Sequence, residues 1–253
     1  MKSDLYRCVS CYGKLFPDHR NLICADCGKN YPVVDEIPRF LPPQSSSKTR
    51  SFGLASRLFE SPVLYDRLVG LKTLVAPDQA LGIRDLTDGR SLLNIGCGSN
   101  VEAKYLEYDI QRVTNFAGVD ISAEFVEAAR KNCSRADAEF CVASVDRLPY
   151  DQSTFDVVII PFVLHHLPFS FEQAIREALR VARMHVIIFD HVKSEQGFMG
   201  AVQQFYWQTF DGGHQYLTER EWRAVLKDQS ITRSIQTGAI GRHVFKFVLQ
   251  KTA

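Results

Sequence analysis

After residue 90 the chain alternates short apolar runs with stretches of helical period. The runs at 91–95, 116–120, 139–143, 155–160 and 184–190 read as strands, with helical segments between them. Ser122 stands where it can cap the second of these helices. Ser170 with Gln173, and Thr218 with Glu221, have the spacing of capping boxes. Two further runs, 232–237 and 244–250, have only Gly238 to His243 between them, too little for a crossover helix. They are expected to pair as an antiparallel hairpin at a sheet edge. The pattern predicts an α/β fold with a doubly wound, seven-stranded sheet.

The first 90 residues differ. Residues 31–42 read as one short strand closed by prolines, and 42–50 (PPQSSSKTR) as a polar linker. Helical patterns follow at 52–60, 62–75 and 78–86, with Pro62 suited to a first turn. The expected organisation is a small unit over 1–44, a linker with helices over 45–89, and the sheet domain over 90–253.

Four of the seven cysteines form two tight pairs, Cys8/Cys11 and Cys24/Cys27. Each C-x-x-C can turn both sulfurs toward one point, and two such knuckles complete a tetrahedral thiolate site. This favours structural Zn²⁺ over iron or redox chemistry, with no position left for a substrate. The segment is too short and polar to bury a core unaided, so metal binding would supply much of its folding free energy. Gly13 and Gly28 follow the knuckles, where a positive φ is useful. The odd cysteine count and uneven spacing are unlike a secreted disulfide scaffold.

Charge narrows the partners. Lys+Arg number 30 against 29 Asp+Glu, so no global electrostatic grip on nucleic acid or membrane exists, although a local basic face could. The N-terminus lacks the apolar stretch of a signal peptide. The longest apolar run, Val157 to Leu164, contains Pro161, and nothing approaches the ~20 residues of a membrane span. A cytoplasmic location is the default expectation.

The chemistry concentrates between Leu92 and Asp120. LLNIGCG places Gly96, Cys97 and Gly98 where a strand hands over to a helix, and Asp120 ends the next strand. A glycine turn of this kind lets backbone approach a ligand closely, and an acid at that second position can hold ribose hydroxyls. The third glycine of a dinucleotide fingerprint is missing. With the terminal hairpin, this layout resembles the class I S-adenosylmethionine-dependent methyltransferases of the type 11 kind. Four segments carry the resemblance, which covers residue 90 to the C-terminus: LLNIGCGSN, GVDIS, SVDRLPYDQSTFDVVII and PFVLHHL.

The resemblance implies S-adenosylmethionine as cofactor, contacted by Asn94, Gly96, Cys97, Gly98, Asp120, Ile121, Ser144, Val145 and Ile160. Three positions depart from the family pattern. Asn94 stands for an acid, Asn100 for a frequent glycine, and Ser144 for the adenine-binding aspartate. His165 and His166, after the fourth strand, are candidate general bases or a structural pair. His214 and Tyr216, in the insertion before residue 232, are candidate substrate contacts. Tyr65 resembles a residue that covers the cofactor. The aromatic stripe Phe205, Tyr206, Trp207 and Phe210 reads as helix packing. The knuckles also resemble zinc-ribbon activator subunits and the ribbons of some ribosomal-RNA methyltransferases. A small-molecule or biosynthetic-intermediate acceptor is favoured. RNA is the alternative, and a non-catalytic cofactor-binding regulator is a second one.

Overall fold

The computed structural model describes residues 1–41, 62–63, 82–100, 112–167, 171–210, 212–227, 232–239 and 244–251. The expected linker at 42–50, nearly all of the predicted helices between 52 and 81, Tyr65 and Ser170 lie outside the described residues.

A central sheet dominates. Strands β5 (Leu92–Ile95), β6 (Phe116–Asp120), β7 (Glu139–Val142), β8 (Phe155–Pro161) and β9 (Ala182–Lys193) run parallel in the order β7-β6-β5-β8-β9. β12 (Val244–Lys251) joins β9 antiparallel, and β11 (Thr232–Ala239) joins β12 antiparallel, as the short connection required. A two-residue strand, β10 (Leu217–Thr218), adds beside the end of β9.

Alternate residues of each strand face opposite layers, so continuous apolar runs are needed for burial on both sides. Leu93, Ile95, Val158, Ile160, Val186 and Ile188 pack with Ile175, Ala178 and Leu179 of a helix at Phe171–Val181. Leu92, Val157, Ile159, Ile187 and Phe189 share the other core with Val126 and Ala129 of a helix at Ala123–Asn132. In chain order the described helices are α1 (Arg84–Thr87), α2 (Ala123–Asn132), α3 (Phe171–Val181), α4 (Gly197–Phe210) and α5 (Glu219–Lys227). Ser122 Oγ caps α2 by accepting from Phe125 N at 3.3 Å. At α5 the box closes both ways: Thr218 N donates to Glu221 Oε2 (2.7 Å) and Glu221 N to Thr218 Oγ1 (3.2 Å).

The N-terminal unit is a four-stranded antiparallel sheet of β1 (Leu15–Asp18), β2 (Asn21–Cys24), β3 (Asn30–Val34) and β4 (Ile37–Pro38). Within the stretch read as one strand, β3 and β4 thus form a hairpin. Asp35 and Glu36 both take positive φ, 50° and 62°, as a two-residue hairpin turn requires. Asp-Glu carries no Asn-Gly signature, which hid the turn. Gly28 has the expected positive φ of 68°, but Gly13 does not. Gly13 is needed for space: a Cβ there would collide with the Asp26 carboxylate and come within 3.0 Å of Cys24 Sγ.

The two units share one core. Tyr6, Cys8, Leu22, Tyr31 and Phe40 cluster with Tyr150, Phe155 and the α3 face. Tyr6 stacks obliquely on Phe40 at 5.5 Å and on Tyr150 at 5.7 Å. Phe40 N donates to Val142 O at 2.8 Å, so the chain after β4 runs along the outer edge of β7. Arg39 pairs with Glu127 at 2.7 Å, and Arg130 with Glu36. The small unit therefore completes its apolar interior from the sheet domain, which a reading of it in isolation cannot show.

Candidate cofactor and acceptor site

The parallel strands end at one edge of the sheet, where ligands of such folds bind. β5 enters a turn with Gly96 at φ 68° and Gly98 at φ 50°. Asn100, at φ 59°, adopts the left-handed backbone for which glycine is the usual choice and asparagine the next best. Its N–H donates to Cys97 O at 2.8 Å. The departure at residue 100 is thus conservative in conformation.

Asp120 holds this turn. One carboxylate oxygen accepts from Gly98 N at 3.0 Å and the other from Ser122 N at 2.9 Å. Burial pushes its carboxyl above the ordinary range, and the Ser122, Gly98 and Ile121 backbone N–H groups oppose that. Ile121, next in sequence, is 44 % exposed, an apolar surface open beside the carboxylate. Asn94 is buried in β5, and its Oδ1 has no hydrogen-bond partner. Cys97 is a packing residue: it is buried, and a Cβ on Gly118 would lie 3.1 Å from its Sγ.

Gly96 also has a steric role, since a Cβ there would collide with Val163 Cγ2 in the segment after β8. Gly96→Ala combines left-handed strain with a clash against a stiff β-branched side chain. It is expected to cost about 3 kcal/mol in denaturant unfolding. A change below about 0.5 kcal/mol would show that the turn relaxes freely.

The loop after β7 departs from expectation. Ser144 Oγ accepts from Asp146 N at 3.3 Å and donates to Asp146 Oδ2 at 3.2 Å. The serine is engaged in holding Asp146, whose Oδ1 is buried with no hydrogen-bond partner. A carboxylate thus stands two residues after the position where the resemblance expects an acid. Ile160 is wholly buried inside β8 and lines the core beneath the site.

At the ends of β8 and β9 lies a cluster of rings. His165 Nδ1 and Asp190 Oδ1 are 2.7 Å apart with both side chains buried, and His165 N donates to Asp190 Oδ2 at 3.3 Å. His191 N donates to Asp190 Oδ1 at 2.7 Å. His166 is half-buried with its ring 4.0 Å from that of His165. Tyr216 stacks on His165 at 5.2 Å, and Trp207 stacks on His191 at 5.0 Å. Gly213 permits this: a Cβ there would collide with the Tyr216 hydroxyl and come 2.7 Å from His165 Cδ2.

Of the residues expected here, Tyr216 is buried as part of the floor and His214 is exposed at the rim, its N–H bound to His165 O at 2.8 Å. Asp190 and His191 were missed, because an aspartate ending an apolar run is not distinctive by itself. The α4 stripe is not core packing throughout: Phe205 is 73 % and Tyr206 56 % exposed, while Trp207 turns inward.

In the N-terminal unit the four cysteine sulfurs all lie within 4.8 Å of one another. Cys8–Cys27 and Cys11–Cys24 are each 3.5 Å apart, near the separation of thiolates sharing one tetrahedral ion. Burial works against the Cys8 thiolate. Even so, the Tyr31 hydroxyl at 3.0 Å and the Ser10 and Cys11 backbone N–H groups hold its pKa at about 6. Against the Gly13 and Lys29 backbone N–H groups, neighbouring sulfurs and burial push Cys11 and Cys27 upward, so the grouping of the four sulfurs, more than their acidity, suits a metal.

The strand order, with a glycine turn after the first parallel strand, is that of the methyltransferase fold. Residues 93–189 match the family described as a methyltransferase domain. That match takes in the sheet from β5 to β9 and leaves the N-terminal unit and the terminal hairpin outside it. Over 110 residues it is 34 % identical to the 27-O-demethylrifamycin SV methyltransferase of Amycolatopsis mediterranei, covering 42 % of this chain. The match spans only 39 % of that relative's length. Among solved structures, a SAM-dependent methyltransferase from Aquifex aeolicus superposes with TM-score 0.52 and 21 % identity, over 70 % of this chain and 90 % of that one. Human N-acetylserotonin methyltransferase in complex with SAM gives 0.59 and 16 %, over 84 % and 61 %. Those structures establish the shared fold. Among the described residues no helix is long and apolar enough to cross a membrane.

Proposed function

We propose that this chain transfers a methyl group from S-adenosylmethionine to a small, apolar acceptor. The observation that carries the reading is the Asp120-held glycine turn at the carboxyl edge of the sheet, within a methyltransferase domain. The residues present suit the cofactor. Asp120 takes the ribose hydroxyls and Ile121 packs on one adenine face. Asp146 accepts from the adenine amino group, with Ser144 and Val145 shaping that loop. Asn94 and the backbone of Gly96, Cys97 and Gly98 receive the methionine end. When bound, S-adenosylmethionine supplies an electrophilic methyl carbon on a sulfonium.

The chain's own task is alignment and proton removal from the acceptor. Asp190 accepts only, so it holds the proton on His165 Nδ1 and fixes that ring. His166, half-buried against it, takes the acceptor's proton. α4 contains no charged residue and presents Phe205 and Tyr206 beside Trp207, a surface for apolar or aromatic acceptors. His214 completes the rim. The relative named above acts on 27-O-demethylrifamycin SV, in keeping with a small-molecule acceptor. In the N-terminal unit Cys8, Cys11, Cys24 and Cys27 hold a structural Zn²⁺.

The test is twofold. S-adenosylhomocysteine should bind in calorimetry, and labelled methyl should pass from the cofactor to members of a panel of hydroxylated aromatic and aliphatic compounds. Binding without turnover on any acceptor would leave a regulatory protein instead, and transfer to RNA alone would overturn the acceptor class. His166→Ala is expected to lower turnover by a factor of about 10² and to remove a near-neutral limb from the pH–rate profile. An unaltered profile would return His166 to a structural role.

A further inference from the structure

Tyr12 and Gly28 occupy the same place in the two knuckles, directly after the second cysteine of each pair. Their backbones match: φ is 61° at Tyr12 and 68° at Gly28. Both N–H groups close the same turn, Tyr12 N to Cys8 O at 2.7 Å and Gly28 N to Cys24 O at 3.0 Å. Glycine is the residue this conformation asks for, and a bulky aromatic is disfavoured there. At Gly28 a Cβ would meet nothing within 4 Å. At Tyr12 two guanidinium groups lie over the ring, Arg147 at 4.9 Å and Arg180 at 4.6 Å from its centroid.

Those arginines hold the loop that carries Ser144, Val145 and Asp146. Arg147 adjoins Asp146 and donates to Ser10 O, inside the first knuckle, at 2.7 Å. Arg180 donates to Tyr150 O at 2.7 Å and to Leu148 O at 3.0 Å. Glu177 accepts from Leu148 N at 2.8 Å and pairs with Arg180. Arg7 N donates to Pro149 O at 2.9 Å. The loop is thus held both by α3 and by the first knuckle, with the Tyr12 ring against both arginines.

We propose that Tyr12 is a positioning residue for the cofactor: in contact with both Arg147 and Arg180, it couples the metal knuckle to the adenine side of the site. The inference rests on the cofactor reading above and adds a specific route by which the N-terminal unit acts on it. The strained backbone at Tyr12 is kept because its ring is what the loop is built against.

Tyr12→Gly in the full, zinc-loaded chain is the test, since the second knuckle already folds with glycine at this position. Zinc content should stay stoichiometric. Binding of S-adenosylhomocysteine should weaken about tenfold, within the usual range of coupling between sites. Its preference over S-inosylhomocysteine, which carries a carbonyl in place of the adenine amino group, should shrink, because the loss falls at Asp146. Tyr12→Phe keeps the ring and should restore both. Wild-type affinity and preference in a zinc-loaded Tyr12→Gly protein would overturn the proposal, as would equal weakening for both ligands. Should Tyr12→Gly lose zinc, Tyr12→Asn, which also tolerates left-handed backbone, is read by the same criteria. Failure of the unsubstituted chain to bind S-adenosylhomocysteine would instead overturn the cofactor reading itself.

Discussion

Asp120→Ala is expected to weaken S-adenosylhomocysteine binding by about three orders of magnitude. Two ribose hydroxyls bound to one carboxylate are worth about 4 kcal/mol together. The same carboxylate accepts from Gly98 N and Ser122 N, so alanine also releases the glycine turn and the start of α2. Asp120→Asn separates the two effects. Its amide oxygen still accepts from one N–H but brings no charge, so it should bind more tightly than alanine and less tightly than aspartate. Burial raises the Asp120 pKa, so affinity tied to its ionised form should fall at a higher pH than for an exposed aspartate. Calorimetry across acidic to neutral pH checks all three statements, and unchanged affinity in Asp120→Ala would sink the ribose assignment.

The second large effect is expected at the metal. Cys24→Ser removes a buried sulfur of the proposed zinc site, and structural zinc sites are worth about 10–16 kcal/mol. That is comparable to the whole stability of a typical domain, about 5–15 kcal/mol. Because Tyr6, Tyr31 and Phe40 belong to the same core as Tyr150 and Phe155, loss of the ion should lower the melting of the entire protein. Scanning calorimetry should show one transition moved downward, and metal analysis should show less than one equivalent. Two separate transitions, with the second unmoved, would mean that the units fold independently. Retention of one zinc equivalent would refute the four-thiolate site.

The sheet was legible because its signal is local. Continuous apolar runs mark strands buried on two faces, and six residues between the last two runs exclude a crossover. The glycine turn and Asp120 were legible for the same reason, as side-chain type and spacing suffice there. The Cys8/Cys11 and Cys24/Cys27 pairs likewise carry their geometry in their spacing. What escaped depends on contacts distant in sequence. Asp190 becomes informative only when the packing of β8 beside β9 brings it to His165. Asp146 comes into view as a candidate for the expected acid only once its bonds to Ser144 are seen. The turn at Asp35 and Glu36 is held by pairing with no glycine to announce it. Phe205 and Tyr206 looked like packing residues because periodicity alone cannot tell which face of a helix is buried.

The join between Phe40 and Val142 has a consequence for solubility. β7 is a terminal strand of the large sheet, and a bare terminal strand offers unpaired backbone groups to any passing chain. Here the segments around Tyr6 and Arg39 lie along that border, with Phe40 N bound to Val142 O and the apolar faces of Phe140 and Tyr150 covered. A fragment beginning near residue 90 would uncover this border and the aromatic rings behind it. Such a fragment should self-associate through β7 at concentrations where the full chain stays monodisperse in light scattering. The N-terminal unit thus serves as a selvedge, the finished margin that keeps the woven sheet from catching on its neighbours.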